Sequence, residues 1–381
     1  MKKGWTTKRI GELCEVIAGQ SPEGKFYNGD GKGRPFYQGK KDFGEKFIES
    51  PTTWTTHTTK IAKAGDILMS VRAPVGPVNF STQEICIGRG LAAIRCGAQL
   101  NRDFLFYQLL HLQPEIAGKE GAVFASINKS EIEALLLAAP PLPEQQRIVG
   151  LLDEAFGGLA TAQAHAAQNL QNARDLFESH LNAVFTQRGE GWVEKTLGDV
   201  CEFVGGSQPP KAVFSKAKTP DSIRLIQIRD YKSDNHVVYI PKSQAKRLCT
   251  ADDIMIGRYG PPIFQILRGL EGAYNVALMK AVPDEIQVNR GFLFYFLKHP
   301  AILEYVIYHS ERAAGQIGVT KEALEAYPIA LPSLDKQAAI ATNIENLSAE
   351  TQRLTRIYEQ KLAALAALKK SLLHQAFSGE F

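Results

Sequence analysis

Two stretches of the chain carry amide, guanidinium, ammonium and hydroxyl side chains of the kinds that hydrogen-bond to nucleic acids. Arginine and lysine offer donors that suit guanine, whereas asparagine and glutamine offer a donor and an acceptor that suit adenine. The same groups also bind phosphate oxygens. The candidates in the first half are Gln20, Ser21, Lys25, Arg34, Tyr37, Gln38, Lys40 and Arg72. The candidates in the second half are Ser207, Gln208, Lys211, Gln227, Arg229, Arg258 and Tyr259.

Several of these side chains have an alternative role that does not involve the reading of bases. Arg72 and Arg258 follow predicted strands, where an arginine can pair with a carboxylate instead of a base. Lys25, Lys40 and Lys211 suit the neutralisation of phosphates better than the reading of bases. For these residues the sequence leaves both explanations open.

Positive charge is distributed unevenly along the chain. The net charge is +4, yet residues 1–110 contain sixteen Lys and Arg against ten Asp and Glu. Residues 205–250 contain nine Lys and Arg against three acidic residues. A local positive surplus suits a polyanionic partner, although a mixed and solvated surface gives the same counts.

Motifs of catalysis are missing from the sequence. It contains no G-x-x-x-x-G-K-[ST] loop, no G-x-G-x-x-G after a strand and no H-E-x-x-H pair. None of the five cysteines lies in a C-x-x-C arrangement, so reduced thiols are expected. No apolar run approaches the roughly 18 residues of a membrane-spanning helix, and the first residues do not resemble a signal peptide. We therefore expect a cytoplasmic protein without catalytic groups, metal or membrane contact.

An internal repeat runs through the 381 residues. WTTKRIGELCEVIAGQSP, which starts at Trp5, is matched by WVEKTLGDVCEFVGGSQP, which starts at Trp192. NRDFLFYQLL from Asn101 is matched in the same order by NRGFLFYFLK from Asn289. The offset between the copies drifts along the chain, as insertions in surface loops of a duplicated domain would cause. The repeat therefore predicts two homologous globular domains, at 1–142 and 191–332.

Each copy is predicted to contain the same elements in the same order. A β-rich opening ends in a Gly-rich turn and is followed by an irregular basic stretch, which covers 23–63 in one copy and 210–250 in the other. A pair of strands, an aromatic helix around FLFY and a Pro-rich exit strand complete the copy. The fold class predicted from these elements is α+β.

A long helix is predicted after each globular domain. No proline occurs from Glu144 to Gln187, and apolar residues recur there at spacings near 3.5. The C-terminal segment shows a comparable apolar seam. Because such a long apolar stripe needs a partner, the two helices are expected to pair with each other. We predict spacer helices at 143–190 and 333–381, which form an antiparallel coiled coil.

Two segments of the first copy carry a family resemblance. They are PPLPEQQRIVGLLDEAF, which starts at Pro140, and GDILMSVRAPVG, which starts at Gly65. Together with the repeat, they resemble the specificity (S) subunit of type I restriction-modification systems. The second copy departs from this pattern, because its exit segment reads LPSLDKQAAI and lacks the Glu-Gln-Gln-Arg run.

The resemblance implies that each globular unit is a target recognition domain that reads one half of a split DNA site. The helices would fix the gap between the halves. Two methyltransferase subunits, which carry S-adenosylmethionine, and one restriction/translocase subunit would be the protein partners, while the S subunit itself binds no cofactor. Gln145, Gln146 and Arg147 are predicted either to dock the methyltransferase or to form a solvated helix face. Since the two irregular stretches differ in sequence, the half-sites should differ too.

Two other classes of function compete with this interpretation. In a non-catalytic adaptor, the helical pair would be the interaction surface and the globular domains would bind protein. A nuclease or hydrolase would need clustered carboxylates or a nucleophile beside its base, and the sequence shows neither.

Overall fold

The computed structural model describes residues 4–117, 126–187, 189–260, 262–310 and 318–381. The chain divides into two units: unit 1 comprises Met1–Gln168 and Glu359–Phe381, and unit 2 comprises Asn169–Tyr358. Each unit contains one copy of the repeated globular domain together with part of both long helices.

Unit 1 contains eleven strands within its described residues. They are β1 Thr6–Arg9, β2 Cys14–Ala18, β3 Tyr27–Asn28, β4 Arg34–Tyr37, β5 Trp54–Thr55, β6 Ile61–Ala62, β7 Ile67–Ser70, β8 Val78–Phe80, β9 Ile85–Ile87, β10 Leu91–Cys96 and β11 Leu136–Ala139. Its helices are α1 Ile10–Leu13, α2 Arg102–Ile116, α3 Lys129–Glu133 and the first part of α4 Leu142–Thr186.

Three sheets build the globular part of unit 1. The first strand pairs antiparallel with the exit strand, β1 with β11, and a four-stranded antiparallel sheet has the order β2-β10-β7-β8. A five-stranded sheet has the order β3-β5-β4-β9-β6, in which β4 and β9 run parallel. Most of this third sheet occupies the stretch that was predicted to be irregular. Its strands are two to four residues long, too short to show an alternating pattern in the sequence.

Unit 2 repeats this architecture. Its strands are β12 Val193–Thr196, β13 Cys201–Gly205, β14 Ser222–Ile226, β15 Tyr239–Pro241, β16 Leu248–Cys249, β17 Ile254–Gly257, β18 Gln265–Leu267, β19 Gly272–Tyr274, β20 Leu278–Pro283 and β21 Pro328–Leu331. Its helices are α5 Leu197–Val200, α6 Arg290–Leu297, α7 Pro300–Ser310, α8 Lys321–Glu325 and the first part of α9 Leu334–Ser378. The sheets have the orders β12-β21, β13-β20-β17-β18 and β15-β14-β19-β16. The pair β14–β19 is parallel, like β4–β9 in unit 1.

The aromatic helices lie in the cores of the two units, as predicted from the FLFY segments. Phe104 of α2 and Phe292 of α6 are both fully buried. Each helix begins at an asparagine whose side-chain oxygen accepts backbone amides of the first turn, Asn101 in unit 1 and Asn289 in unit 2. These caps fix the direction in which the aromatic rings enter the core.

The two long helices pack against each other inside each unit. In unit 1, Leu152 near the start of α4 shares a core with Ala376 near the end of α9. In unit 2, Phe185 near the end of α4 shares a core with Ile344 near the start of α9. The helices are therefore antiparallel, which confirms the predicted fold class.

A cation from each globular domain bonds to the long helix that leaves it. In unit 1, the ammonium of Lys46 lies 3.4 Å from a carboxylate oxygen of Asp153 in α4, which also accepts the Tyr107 hydroxyl. In unit 2, the guanidinium of Arg268 bonds both carboxylate oxygens of Glu345 in α9, at 2.6 and 2.8 Å. That guanidinium holds the pKa of Glu345 below its usual range. Each contact links a globular domain to its helix by a charge-assisted hydrogen bond.

The described residues contain neither a membrane-spanning helix nor a cluster of metal ligands. No helix there combines the length and the apolar character needed to cross a bilayer. Within the same residues, no three His, Cys, Asp or Glu side chains are placed to hold a metal ion. All five cysteines are free thiols.

Candidate nucleic-acid interface

A cleft of unit 1 lies where the turn after β2, the segment around β3, the end of β4 and the turn between β9 and β10 meet. Its volume is about 610 Å³. The lining residues are Ser21, Pro22, Glu23, Tyr27, Phe36, Gln38, Lys41, Thr53 and Arg89. The fold therefore brings two predicted candidates, Ser21 and Gln38, into one site.

Ser21 organises the polar side of this cleft. Its hydroxyl donates to the side-chain oxygen of Gln38 at 3.0 Å and accepts the backbone amide of Arg89 at 3.2 Å. Because the Gln38 oxygen is engaged, its NH₂ group is the part of this side chain that remains available as a donor in the cleft. The Tyr27 hydroxyl donates to the carbonyl of Pro22 at 2.8 Å, and burial raises the pKa of Tyr27.

The repeated glycine allows the turn after the opening strand to approach its neighbour closely. A Cβ atom on Gly19 would lie 2.6 Å from the carbonyl oxygen of Leu91. A Cβ atom on Gly206, its copy in unit 2, would lie 2.5 Å from the carbonyl carbon of Asn275. These distances exclude any side chain, so the glycine is required by backbone packing.

Unit 2 contains a cleft between the corresponding elements, namely the turn after β13, the end of β14 and the turn between β19 and β20. Its volume is about 710 Å³. The lining residues are Gln208, Pro209, Pro210, Lys211, Phe214, Leu225, Gln227, Arg229 and Asn275. Four predicted candidates therefore meet here: Gln208, Lys211, Gln227 and Arg229.

The two clefts are structurally equivalent. The amide of Gln20 donates to the carbonyl of Ile87 at 2.9 Å, and the amide of Ser207 donates to the carbonyl of Tyr274 at 3.2 Å. Both bonds join the turn after the opening strand to the third sheet of the unit. The same backbone frame therefore holds two different sets of side chains.

Four hydrogen-bonding atoms of unit 2 are buried without a partner among the described residues. They are Nε of Arg224, Nε2 of Gln227, Oδ1 of Asp230 and the hydroxyl of Tyr231. The other carboxylate oxygen of Asp230 accepts the backbone amide of Gln227 at 3.0 Å, and burial raises the pKa of Asp230. Buried polar atoms of this kind normally bind a partner, and Gln227, which lines the cleft, therefore offers a buried donor suited to a polar ligand or water.

Two candidates of unit 1 are engaged in ion pairs on the protein. Lys25 lies 2.6 Å from Glu23, and the guanidinium of Arg34 pairs with Glu84. Three others, Gln20, Lys40 and Arg72, are exposed but do not line the cleft. Their contact with DNA stays a prediction.

The structure contradicts the predicted role of Tyr37. Its side chain is 1% exposed, and its hydroxyl donates to the carbonyl of Glu49 at 2.8 Å. Burial raises the pKa of Tyr37 to about 12. Tyr37 therefore belongs to the core of unit 1 and cannot reach a base or a phosphate.

Arg258 and Tyr259 of unit 2 lie outside the second cleft. The guanidinium of Arg258 donates to the carbonyl of Val319 at 3.2 Å and stacks 5.2 Å above the Tyr259 ring. Ser207, by contrast, is half-buried in the turn that borders the cleft. The prediction for these three residues is untested.

Gln145 is a structural residue, so the prediction that it docks a partner is wrong. Its side chain is 1% exposed. Its NH₂ group donates to the carbonyls of Pro140 at 2.8 Å and Gln99 at 3.2 Å, and its oxygen accepts the amide of Asn101 at 2.7 Å. Gln145 thereby joins the exit strand, the start of α2 and the start of α4.

Unit 2 contains the same anchor, which was missed in the sequence. Gln337 is 1% exposed and donates to the carbonyls of Pro332 at 2.8 Å and Gln287 at 3.1 Å. Its oxygen accepts the amide of Asn289 at 2.8 Å. The sequence does contain evidence for this anchor, because Gln337 in LPSLDKQAAI aligns with the first glutamine of PPLPEQQRI.

The other two residues of the predicted docking segment are exposed. Gln146 is accessible on α4, and Arg147 forms two bonds with the carboxylate of Glu144, at 2.7 and 3.0 Å. A solvated helix face and a docking surface both fit this arrangement.

Arg89 is a cleft residue that the sequence interpretation missed. It is exposed and stands in the turn Gly88-Arg89-Gly90. An arginine between two glycines marks a tight turn that presents a guanidinium, and this signal could have identified it.

The fold and the two clefts define a class of protein. A family model described as the type I restriction modification DNA specificity domain matches residues 2–165 and again residues 189–363. The chain therefore belongs to this family and contains two copies of its domain, which confirms the resemblance seen in the sequence.

Curated relatives carry the same description. A Methanocaldococcus jannaschii protein assigned as the specificity subunit of the type I restriction enzyme MjaX is 37% identical over 174 residues, which are 45% of this chain and 40% of that protein. The specificity subunit of the MjaIX enzyme from the same organism is 24% identical over 60% of this chain and 63% of its own length. The Escherichia coli EcoBI specificity subunit is 24% identical over 74% of this chain and 66% of its own length. The matches thus span two fifths to two thirds of these relatives.

Solved structures share the fold over the whole chain. A chain from a study of complex assembly and conformational transition of the type I R-M system matches with a TM-score of 0.79 and 20% identity, covering 99% of this chain and 98% of that one. The HsdS subunit from Thermoanaerobacter tengcongensis matches with a TM-score of 0.60 and 19% identity, covering 100% and 98%.

Proposed function

We propose that this chain is the DNA sequence-recognition subunit of a type I restriction-modification complex. It reads a bipartite, asymmetric target and positions methyltransferase and nuclease subunits on that target. The observation that supports this most directly is the pair of equivalent clefts, which share a backbone frame but differ in lining. Two different linings on one frame suit the reading of two different half-sites.

The partners follow from the same proposal. Double-stranded DNA, two methyltransferase subunits and one restriction/translocase subunit bind the chain in the cytoplasm. The chain catalyses no reaction and holds no cofactor, and S-adenosylmethionine belongs to the methyltransferase subunits. Gln146 and Arg147, which are exposed on α4, remain candidates for contact with a methyltransferase.

Sequencing of methylated sites in cells tests this function. The chain would be produced with the methyltransferase subunit of its own system, in a host without other modification enzymes. We expect methylation at a motif of two unlike parts separated by unspecified base pairs. Methylation without such a motif, or none at all in the presence of an active methyltransferase, would refute the proposal.

A binding experiment separates DNA recognition from an adaptor role. Affinity for a duplex that contains the motif should fall steeply as salt rises, because each phosphate contact releases counterions. An adaptor that binds only protein would show no motif-dependent affinity at any salt concentration.

A further inference from the structure

The turn between β9 and β10 is pressed against the end of β4. Its residues are Gly88, Arg89 and Gly90. A Cβ atom on Gly88 would lie 2.5 Å from the side-chain oxygen of Gln38, and a Cβ atom on Gly90 would overlap the backbone carbonyl of Gln38. A side chain at position 90 would collide with the backbone of Gln38, whereas one at position 88 would first displace the Gln38 side chain, so the turn is packed closely against the end of β4.

Hydrogen bonds fix the backbone of the same turn. The amide of Arg89 donates to the hydroxyl of Ser21 at 3.2 Å, and the amide of Gly88 donates to the carbonyl of Tyr37 at 2.8 Å. The amide of Leu91 donates to the carbonyl of Gly88 at 3.0 Å, and this hydrogen bond closes the turn. The base of the Arg89 side chain therefore has a defined position at the edge of the cleft.

The guanidinium of Arg89 is free to bind a ligand. The residue is exposed, and its guanidinium makes no ion pair or hydrogen bond with any residue that the structure describes. The cleft carboxylate, Glu23, is already paired with Lys25 at 2.6 Å. A guanidinium without a protein partner has all of its N–H donors available to a ligand, and the fixed backbone limits the ordering cost of binding to the side chain itself.

We propose that Arg89 determines specificity by donating two parallel hydrogen bonds to a guanine in the half-site of unit 1. The planar guanidinium matches the O6 and N7 acceptors of guanine, whereas the other bases offer no such pair in the major groove. The NH₂ group of Gln38, which lines the same cleft, is a second donor available to a base. This inference rests on the proposed function, since it requires the cleft to face DNA.

Unit 2 provides the internal comparison. Its turn Asn275-Val276-Ala277 has the same closure, in which the amide of Leu278 donates to the carbonyl of Asn275 at 3.0 Å. Val276 stands in the place of Arg89 and is 40% exposed. A valine offers no donor, so the half-site of unit 2 lacks this guanine contact. The difference between Arg89 and Val276 at this one position would then make the two half-sites differ in sequence.

The test replaces the side chain in the full chain, produced with its methyltransferase subunit, and sequences the methylated sites. In Arg89→Gln, the preference for guanine at one position of the first half-site should fall by roughly 5- to 150-fold, the range of one bidentate base contact. In Arg89→Lys, which keeps the charge, the preference for guanine should also fall, while overall methylation is less affected. The second half-site should stay unchanged in both variants.

Two controls distinguish the loss of a base contact from a general loss of positive charge and from a loss of folding stability. Lys129→Gln removes one positive charge of unit 1 from α3, outside the cleft, and should leave the motif unchanged. Thermal unfolding of each variant should match that of the wild type, because the Arg89 side chain is exposed.

Each alternative outcome has a distinct meaning. An unchanged motif in Arg89→Gln, with methylation reduced evenly at all sites, would assign Arg89 to a phosphate and overturn the inference. An unchanged motif with undiminished methylation would overturn it as well. In both cases the wild-type motif would still support the proposed function, which fails only if the wild-type chain directs no sequence-specific methylation.

Discussion

Replacing Gln145 with alanine should destabilise unit 1 far more than replacing Gln146, its neighbour on α4. The Gln145 side chain makes three hydrogen bonds of 2.7 to 3.2 Å with backbone groups of other segments. Alanine would leave those groups without partners in a site that is 1% exposed. Each unsatisfied buried group costs about 1–3 kcal/mol, and water can replace part of the loss. We expect a decrease of about 2–5 kcal/mol in the free energy of unfolding.

An isosteric variant distinguishes the hydrogen bonds from packing. Gln145→Glu keeps the volume of the side chain and the acceptor for the amide of Asn101. Its second carboxylate oxygen, however, would face the carbonyl oxygens of Pro140 and Gln99. At neutral pH this variant should be at least as unstable as Gln145→Ala, because a buried charge would then oppose two acceptors.

Urea unfolding followed by tryptophan fluorescence measures these changes. A Trp192→Phe background leaves Trp5 and Trp54, both of which report on unit 1. Gln146→Ala is the matched control, since Gln146 is exposed, and it should change stability by less than about 0.5 kcal/mol. If Gln145→Ala were as stable as this control and instead lost only its association with a methyltransferase, the assignment of Gln145 as an anchor would be wrong.

Three further predictions concern the glycines, the helix contacts and the spacer. Gly19→Ala and Gly206→Ala should each lower stability by about 1–3 kcal/mol, while Gly24→Ala, which meets no atom within 4 Å, should leave the melting temperature unchanged. The pKa of Glu345 is lowered by Arg268, so its stabilising effect is present above the unfolded value of 4.5 and lost as the pH falls through the folded pKa. Melting curves of the wild type and of Glu345→Gln, recorded from about pH 3 to about pH 7 so as to bracket the usual carboxylate pKa values, should therefore show a weaker loss of stability at acid pH for the variant. Equal losses would contradict this. Inserting four residues, about one turn, into both long helices should lengthen the unread part of the methylated motif, and an unchanged spacer would refute the spacer role.

The large elements could be predicted from the sequence because many residues contribute to each signal. The first long helix was predicted over 143–190 and is observed at Leu142–Thr186, and the second was predicted over 333–381 and is observed at Leu334–Ser378. The third sheet of each unit could not be predicted. Strands such as Tyr27–Asn28 and Leu248–Cys249 are held by pairing with distant strands, and two residues contain no periodic pattern.

The candidate site was predicted in part for a related reason. Ser21 and Gln38 were identified by residue type, but the sequence does not show which polar side chains face inward. Tyr37 and Gln145 are buried beside exposed neighbours that look equally polar. Burial of a polar group depends on whether distant backbone atoms satisfy it, and this information lies in the tertiary fold.

The duplicated chain provides its own comparison between scaffold and reading positions. Gly19 and Gln145 recur as Gly206 and Gln337, and each makes the same contacts in both units. The residues at the edges of the clefts have diverged. In the turn where unit 1 has Arg89, for example, unit 2 has Val276. The two copies must attach to the same kind of long helix, which keeps the anchoring residues alike. They need not read the same bases, and the side chains that line the clefts are therefore free to differ.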